Sequence, residues 1–175
     1  MRFRGMDGLY HTLATEFGRL PGPGGVVVLL RVLGAALLCG LIGLERELSD
    51  HAAGLRTNML VGVASAVFAV IGLSLIDQLE GDTIRIDPIR LIEAVTSGVA
   101  FLAAGLIVLS RGQVRGLTTG ATVWLSGAVG LAVGIGQWML ALLGALVGLA
   151  VLIGLARLEC RLGISGKKAI EEPAE

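Results

Sequence analysis

Five stretches of the chain are long and apolar enough to cross a lipid bilayer. They cover residues 26–44, 59–76, 89–109, 117–133 and 138–156. A bilayer core about 30 Å thick needs about 20 apolar helical residues, because a helix rises about 1.5 Å per residue. Since lipid offers the backbone no hydrogen-bond partners, each stretch should be a helix. The pattern predicts an all-α membrane protein, a bundle of about five transmembrane helices.

The segment before the first span has a different pattern. Its large apolar residues recur every three or four positions and so share one helical face: Phe3, Met6, Tyr10, Leu13, Phe17 and Leu20. A run of proline and glycine at 21–25 ends this segment. We predict a short interfacial helix within 1–25, a transmembrane domain over 26–156 and a cytoplasmic tail over 157–175. A disordered leader is the alternative for the first segment.

Composition supports a membrane protein and argues against several other classes. The set AVILMFWYC makes up 54% of the chain, charged residues make up 16%, and the mean hydropathy is +0.83. The 14 basic and 14 acidic residues cancel, which argues against a nucleic-acid surface. Cys39 and Cys160 lack the spacing of a zinc site or a disulfide framework, and no nucleophile or phosphate-loop motif is present. We therefore expect no enzymatic activity, no bound metal and no cofactor.

The basic residues predict how the spans are oriented. With five spans, six Lys and Arg lie on the side of the N-terminus and eight lie on the other side. The side richer in Lys and Arg faces the cytoplasm in most membrane proteins. We expect the N-terminus outside and the C-terminus in the cytoplasm.

Three short charged segments, at 43–47, 53–58 and 111–119, meet on the predicted cytoplasmic face. Their candidate functional residues are Glu45, Arg46, Arg56 and Arg115. An arginine and a carboxylate at a membrane boundary can form a bidentate pair that lowers the desolvation cost of both groups. We predict an ion-pair network of Glu45, Arg56 and Arg115, partly withdrawn from water, that fixes how spans one, two and four meet. The alternative is that these charges are ordinary solvated anchors.

Four polar residues at or within the predicted spans are further candidates for function: Glu93, Ser97, Thr118 and Thr122. An intramembrane carboxylate is costly, so it marks a functional site by default. Glu93 lies near a helix end, however, and a local pair with Arg90, three positions earlier, explains it more simply. The hydroxyl groups can bond to carbonyls one turn earlier in their own helix or across helices, and this structural role is preferred.

Small residues four positions apart indicate close helix packing. The pairs are Ser126 and Gly130, Gly130 and Gly134, and Gly144 and Gly148. Apolar side chains gain nothing by leaving lipid for one another, so membrane helices associate where small residues let two backbones approach. These pairs fit either a tight bundle or a homodimer.

Four motifs follow one another in the middle of the chain. They are GLIGLERE at 40–47, AGLRTN at 53–58, SG at 97–98 with FLAAG at 101–105, and VRGLTTGATVW at 114–124. In this order, over roughly residues 33–137, they resemble the MgtC/SapB family of bacterial inner-membrane proteins.

The resemblance implies a helical inner-membrane domain with a cytoplasmic C-terminus. It further implies a role in adaptation to low magnesium, acid stress or survival inside host cells, a role associated with virulence. Members are generally not held to transport magnesium, and some resemble regulators that bind and restrain other membrane complexes, including the F-type ATP synthase or P-type ATPases. The leading hypothesis is therefore a non-enzymatic membrane regulator.

The alternative hypothesis is a small ion or solute carrier. The path of such a carrier would be lined by Glu93, Thr96, Ser97 and Thr118. Carriers are often built from internal repeats and broken helices around a midplane site. The sequence shows no convincing repeat and no charge near the middle of a span, which favours the regulator.

The chain departs from the family pattern in three residues and in length. Many relatives have Asn at the position of Thr118, Gly at that of Ala103 and Gln at that of Ala94, so the first departure removes an amide. Many also continue into a soluble cytoplasmic domain of the ACT type, whereas this chain stops at Glu175. The resemblance therefore predicts a short form without that domain.

Overall fold

The computed structural model describes residues 24–79, 87–110 and 113–162. This part of the chain contains five helices: α1 (Gly25–Leu48), α2 (Leu55–Leu79), α3 (Pro88–Gly105), α4 (Leu117–Gly134) and α5 (Trp138–Arg161). All five are long and apolar enough to cross a membrane, which confirms the predicted spans. The predicted interfacial helix at the N-terminus and the tail beyond residue 162 lie outside the described residues.

The helix boundaries follow from local chemistry. The Asp87 carboxylate accepts a hydrogen bond of 3.0 Å from the Ile89 backbone N–H, and Pro88 occupies the first helical position of α3. Both are favourable at a helix start, because the first backbone N–H groups have no partner within the helix. Between α4 and α5 the chain reverses within three residues, and Gly136 adopts a φ of 89° that suits glycine.

The end of the third span differs from the prediction, which extended it to residue 109. Helix α3 stops at Gly105, and the chain then forms a two-stranded antiparallel hairpin of β1 (Val108–Ser110) and β2 (Gln113–Arg115). Gly116 then turns with a φ of 86°, and its Cα packs against the Leu106 carbonyl so closely that a Cβ would collide with it. The hairpin therefore folds back on the end of α3, a tertiary contact that the apolar run could not reveal.

Helix α4 is the centre of the bundle. It packs against each of the other four helices, and 12 of its 18 residues are buried. Gly130 lies against the backbone of Gly62, and one turn later Gly134 lies against Ala66. The matching order of these contacts shows that α2 and α4 run parallel. The small residues thus produce close packing within one chain, as the spacing predicted.

The other helices pack around α4 through similar close approaches. Gly43 of α1 lies against the Leu55 Cα, which would be 2.8 Å from a Cβ at that position. The Val99 side chain of α3 lies over Gly127 of α4. Helices α3 and α5 are the most peripheral. Only 17% and 11% of the residues in their most apolar 18-residue stretches are buried. Most of their surface is therefore directed away from the bundle.

Candidate functional site

The candidate site lies at one end of the bundle, which we call the rim. It comprises the end of α1, the loop 49–54, the start of α2, the hairpin and the start of α4. Glu47 caps α2: its Oε2 atom accepts a hydrogen bond of 2.9 Å from the Leu55 backbone N–H. A carboxylate is favourable here because the start of a helix carries partial positive charge. Gly54 leaves room for this cap, since a Cβ there would collide with the Glu47 carboxylate.

Arg46 is the most deeply buried charge of the rim, with only 3% of its surface exposed. Its Nε atom donates a hydrogen bond to Glu45 Oε2, and the two side chains form an ion pair. The Ser49 hydroxyl donates to the other carboxylate oxygen of Glu45 at 3.1 Å. Both oxygens of this carboxylate are therefore engaged by residues of its own helix end.

The predicted network of Glu45, Arg56 and Arg115 is wrong for the part of the chain that the structure describes. Arg56 and Arg115 are exposed, and neither lies within 4.0 Å of a described carboxylate. The reason is that Glu45 pairs with the neighbouring Arg46, while Glu47 is engaged by a backbone N–H. Both arginines instead face outward at the rim.

A buried amide, Asn58, occupies the position beneath the rim where a charge network was expected. Its Nδ2 atom donates to the carbonyls of Ala53 and Gly54 at 2.9 and 2.8 Å. Its Oδ1 atom accepts a hydrogen bond of 2.8 Å from the Ser126 hydroxyl. Asn58 is fully buried, and its hydrogen bonds join the loop, α2 and α4. This role of Asn58 was not predicted from the sequence, although an amide next to an apolar run is a signal that could have pointed to it.

Two more polar groups within the bundle have hydrogen-bond partners, whereas the buried Nε atom of Arg31 has none among the described residues. The Cys39 thiol donates to the Ser126 carbonyl at 3.3 Å, and the Thr122 hydroxyl donates to the Thr119 carbonyl at 2.8 Å. Thr122 is buried, so its hydroxyl has the structural role that was predicted for it. Thr118, by contrast, is exposed at the start of α4.

The polar candidates of α3 lie on its outer surface. Glu93 and Ser97 are both exposed. The predicted pair of Glu93 with Arg90 is not formed, because the two charged groups are not within 4.0 Å of each other. A spacing of three residues in a helix permits such a pair but does not require it. Both side chains are long and exposed, so holding them in one paired conformation costs conformational entropy.

A groove on the outside of the bundle separates α2 from α3. Its cavity has a volume of about 330 Å³, and α3 contributes Val95, Gly98, Val99 and Leu102 to its lining. The wall from α2 includes Leu60, Ala64 and Phe68 together with one polar residue, Ser65. Gly98 has no atom within 4 Å of the position of a Cβ, so the groove is open there. A second cavity of about 240 Å³, between α4 and α5, is also apolar.

The described residues contain no group of three or more His, Cys, Asp or Glu side chains arranged to hold a metal ion. The carboxylates of Glu45 and Glu47 are committed to a neighbouring arginine and to the start of α2, whereas Asp50 of the loop is exposed. The exposed charges of the rim therefore include the guanidinium groups of Arg56 and Arg115 beside the carboxylate of Asp50, on a hydrogen-bonded support.

Comparisons with known proteins agree on one family. The model of the MgtC family matches residues 32–161. The chain is 38% identical over 125 residues to "Putative magnesium transporter YhiD" of Escherichia coli K12, an alignment that covers 71% of this chain and 58% of that protein. It is 46% identical over 103 residues to "Protein MgtC" of Brucella abortus, covering 59% and 40%. It is 39% identical over 140 residues to "Protein SrpB" of Synechococcus elongatus, covering 74% and 75%.

The chain spans 58% of the length of YhiD and 40% of that of the Brucella MgtC. The match with SrpB extends over three quarters of both chains. No solved structure matches this chain. The shared region is thus the membrane bundle itself.

Proposed function

Because this chain belongs to the MgtC family, we propose that it is a non-enzymatic, multi-pass protein of the bacterial inner membrane that regulates another membrane complex. The setting is adaptation to low magnesium, acid stress or survival inside host cells. The F-type ATP synthase and P-type ATPases are the candidate partners, as the family resemblance implies.

The groove between α2 and α3 is the observation that carries this proposal. Its lining is apolar apart from Ser65, it is open to the outside of the bundle, and Gly98 leaves open space on its wall. Helices associate in a membrane through van der Waals packing at such small residues, because lipid provides no hydrophobic driving force between them. A transmembrane helix of a partner protein can therefore insert a side chain at Gly98 without displacing an atom of the bundle.

The rim supports the same proposal from outside the apolar region. Arg56 and Arg115 are exposed, while the neighbouring carboxylates Glu45 and Glu47 are engaged within the chain. Guanidinium groups bind carboxylates bidentately and thereby add directional contacts to a helix–helix interface. The two arginines can thus orient a partner whose helix occupies the groove and whose membrane-proximal residues are acidic.

The carrier hypothesis remains as the second candidate because one relative bears the name putative magnesium transporter. It has less support from the geometry. Glu93, Ser97 and Thr118 are exposed on the outside of the bundle. The Thr96 hydroxyl donates to the Ile92 carbonyl of its own helix at 2.7 Å. Among the described residues, Ser65 is the one polar residue that lines these two cavities, whereas a path for an ion needs polar groups along its length.

Filling the groove tests the proposal. Gly98→Leu places a large side chain in the groove, and Gly154→Leu is the matched control because Gly154 of α5 also has open space around it. The variants are expressed in a gene-deleted strain at limiting magnesium, at equal amounts of membrane protein. We expect Gly154→Leu to restore growth and Gly98→Leu to fail to restore it. In the same strain, a photo-crosslinker at Phe68 should capture one membrane complex that Gly98→Leu no longer yields.

Two results would contradict the regulator proposal. One is full complementation by Gly98→Leu together with unchanged crosslinks. The other is saturable uptake of magnesium or protons by proteoliposomes that contain the purified protein alone, which would favour the carrier instead.

A further inference from the structure

The outer surface of α3 carries a line of charged and small residues beside its exposed apolar residues. The line, which we call the α3 seam, consists of five exposed residues: Arg90, Glu93, Ser97, Ala100 and Ala104. Successive steps of three and four residues keep these positions on one side of a helix, in the spacing of a coiled-coil contact. The seam therefore runs along most of the length of α3.

The outer surfaces of α1 and α5 show what a lipid contact looks like in this protein. They carry large, exposed aliphatic residues at each turn: Leu29, Leu33, Leu37 and Leu41 on α1, and Leu142, Leu143, Leu146 and Val147 on α5. The α3 seam instead carries two opposite charges, a hydroxyl and two alanines. Charged residues within membrane spans almost always face protein or pair with one another. The seam is therefore suited to contact with protein rather than with acyl chains.

We propose that the α3 seam is the two-fold interface between two copies of this chain. Two copies in one membrane share the same orientation, so their two-fold axis lies along the membrane normal and their α3 helices run parallel at equal depth. Arg90 and Glu93 differ in depth by three residues, or about 4.5 Å at 1.5 Å per residue. The side chain of Arg90 spans this difference and reaches the carboxylate of the second copy's Glu93.

The opposite charges of Arg90 and Glu93 favour a second copy of this chain as the partner that covers the α3 seam. Within the described residues, neither Arg90 nor Glu93 has an ion-pair partner in its own chain. In a two-fold pair each arginine meets the glutamate of the other copy, so both ion pairs form at once and the charges alternate around the axis. Both copies thus use the same residues and both charges of each copy are paired, as expected for an isologous interface.

The remaining residues of the seam permit a close approach. Ser97, Ala100 and Ala104 have small side chains, and the seven-residue interval from Arg90 through Ser97 to Ala104 favours a left-handed crossing of two helices. Small residues and hydroxyls at such positions allow backbones to approach and to form hydrogen bonds across the contact. The groove lies on a different side of α3, where Val95 and Val99 are buried, so pairing leaves it open.

Disulfide crosslinking between copies tests the position of the interface. Ser97→Cys places the thiol at the two-fold axis, and Gly154→Cys is the matched control on the outer surface of α5. Both are made with Cys160→Ser, and Cys39 is fully buried. In native membranes treated with a mild oxidant, we expect Ser97→Cys to give a crosslinked species of twice the chain mass and Gly154→Cys to give none. Equal crosslinking of the two variants, or an adduct of Ser97→Cys with a different protein, would overturn the proposal.

Charge exchange tests the chemistry of the interface. Glu93→Arg should lower the dimer fraction in lipid vesicles at least about tenfold, since like charges then face each other across the contact. The double variant Arg90→Glu with Glu93→Arg reverses both charges and should restore the dimer. Thermal unfolding of each variant in detergent reports whether the bundle itself is intact. A folded double variant that stays monomeric, or a Glu93→Arg variant that pairs as the original chain does, would show that these charges do not join the copies.

Discussion

A single amide joins three parts of the chain at the scale of one residue. Asn58 uses both of its donors on the loop carbonyls and its acceptor on the Ser126 hydroxyl, all in a fully buried position. A buried polar group costs free energy unless it is hydrogen-bonded, so each of these bonds supports the others. Loss of Asn58 or of Ser126 therefore leaves a buried polar group of the other residue without this partner.

Removal of the amide should therefore destabilise the bundle. Asn58→Leu keeps the approximate size of the side chain but removes the partners of the Ser126 hydroxyl and the Ala53 carbonyl. The Gly54 carbonyl keeps the backbone N–H of residue 58 as a donor. We expect a loss of about 1–3 kcal/mol in the free energy of unfolding, measured by denaturation in detergent micelles. Gln137→Leu, which removes an amide at an exposed position, is the control. A double-mutant cycle of Asn58→Leu with Ser126→Ala should give a coupling energy of about 0.6–1.7 kcal/mol, and a coupling of zero would contradict the network.

The arginines of the rim should differ sharply in their contributions to stability. Arg46→Gln strands the Glu45 carboxylate beside a buried position, so we expect a loss of about 3 kcal/mol in the free energy of unfolding. Arg56→Gln removes an exposed charge and should cost less than about 1 kcal/mol. The same denaturation experiment measures both. A greater loss for Arg56→Gln than for Arg46→Gln would reverse the assignment of the ion pair.

Glycine decides how closely the elements approach. A Cβ at Gly130 would collide with the carbonyl of Gly62, and one at Gly134 would lie 2.6 Å from the Ala69 Cβ. The backbones of α2 and α4 can therefore lie in contact only because these two positions of α4 lack side chains. Two parallel helices in contact over three turns form the rigid centre of the bundle, against which α3 and α5 rest.

Alanine substitutions test this arrangement at the scale of an element. Gly130→Ala forces α2 away from α4, and we expect a loss of about 1–3 kcal/mol in the free energy of unfolding. Gly154→Ala, where nothing lies within 4 Å, should instead be neutral or stabilising by up to about 1 kcal/mol because alanine favours the helix. Thermal unfolding of both variants in the same detergent provides the comparison. Equal midpoints would mean that the backbones of α2 and α4 are not in contact.

At the scale of the whole molecule, the orientation in the membrane is a prediction from the charges. The rim carries Arg46, Arg56 and Arg115, which fits a cytoplasmic location under the positive-inside rule. The turn between α4 and α5 lies at the other end of the bundle and has no basic residue within 134–137. The two ends can be distinguished by chemical labelling because each has an exposed residue, His51 at the rim and Gln137 at the turn.

Single cysteines at these two residues measure the orientation. In a Cys160→Ser background, we expect Gln137→Cys to react with a membrane-impermeant maleimide added to intact spheroplasts. His51→Cys should react only after the membrane is permeabilised. The opposite pattern would place the rim outside the cell, and labelling of both from one side would contradict the alternation of spans.

The positions of the spans could be predicted from the sequence because the requirement is local. Each span needs only enough consecutive apolar residues to cross the bilayer, and a helix satisfies its own backbone. The Asp87–Pro88 start and the close packing of Gly130 and Gly134 were also predictable, since one depends on adjacent residues and the other on a fixed helical spacing. The end of α3 was not, because the hairpin depends on a contact of Gly116 with Leu106.

The sequence by itself thus determined that five helices cross the membrane, which small residues allow them to approach, and to which family the chain is similar. Only the tertiary structure decided how the polar groups pair. Four charged residues lie at or near neighbouring helix ends: Glu45, Glu47, Arg56 and Arg115. From the sequence alone, several pairings of these acids and arginines are equally good. The fold buries Arg46 beside Glu45, turns Glu47 toward the start of α2 and leaves Arg56 outside. Charges attract any opposite partner, so the packing of the surrounding helices determines which partner is within reach.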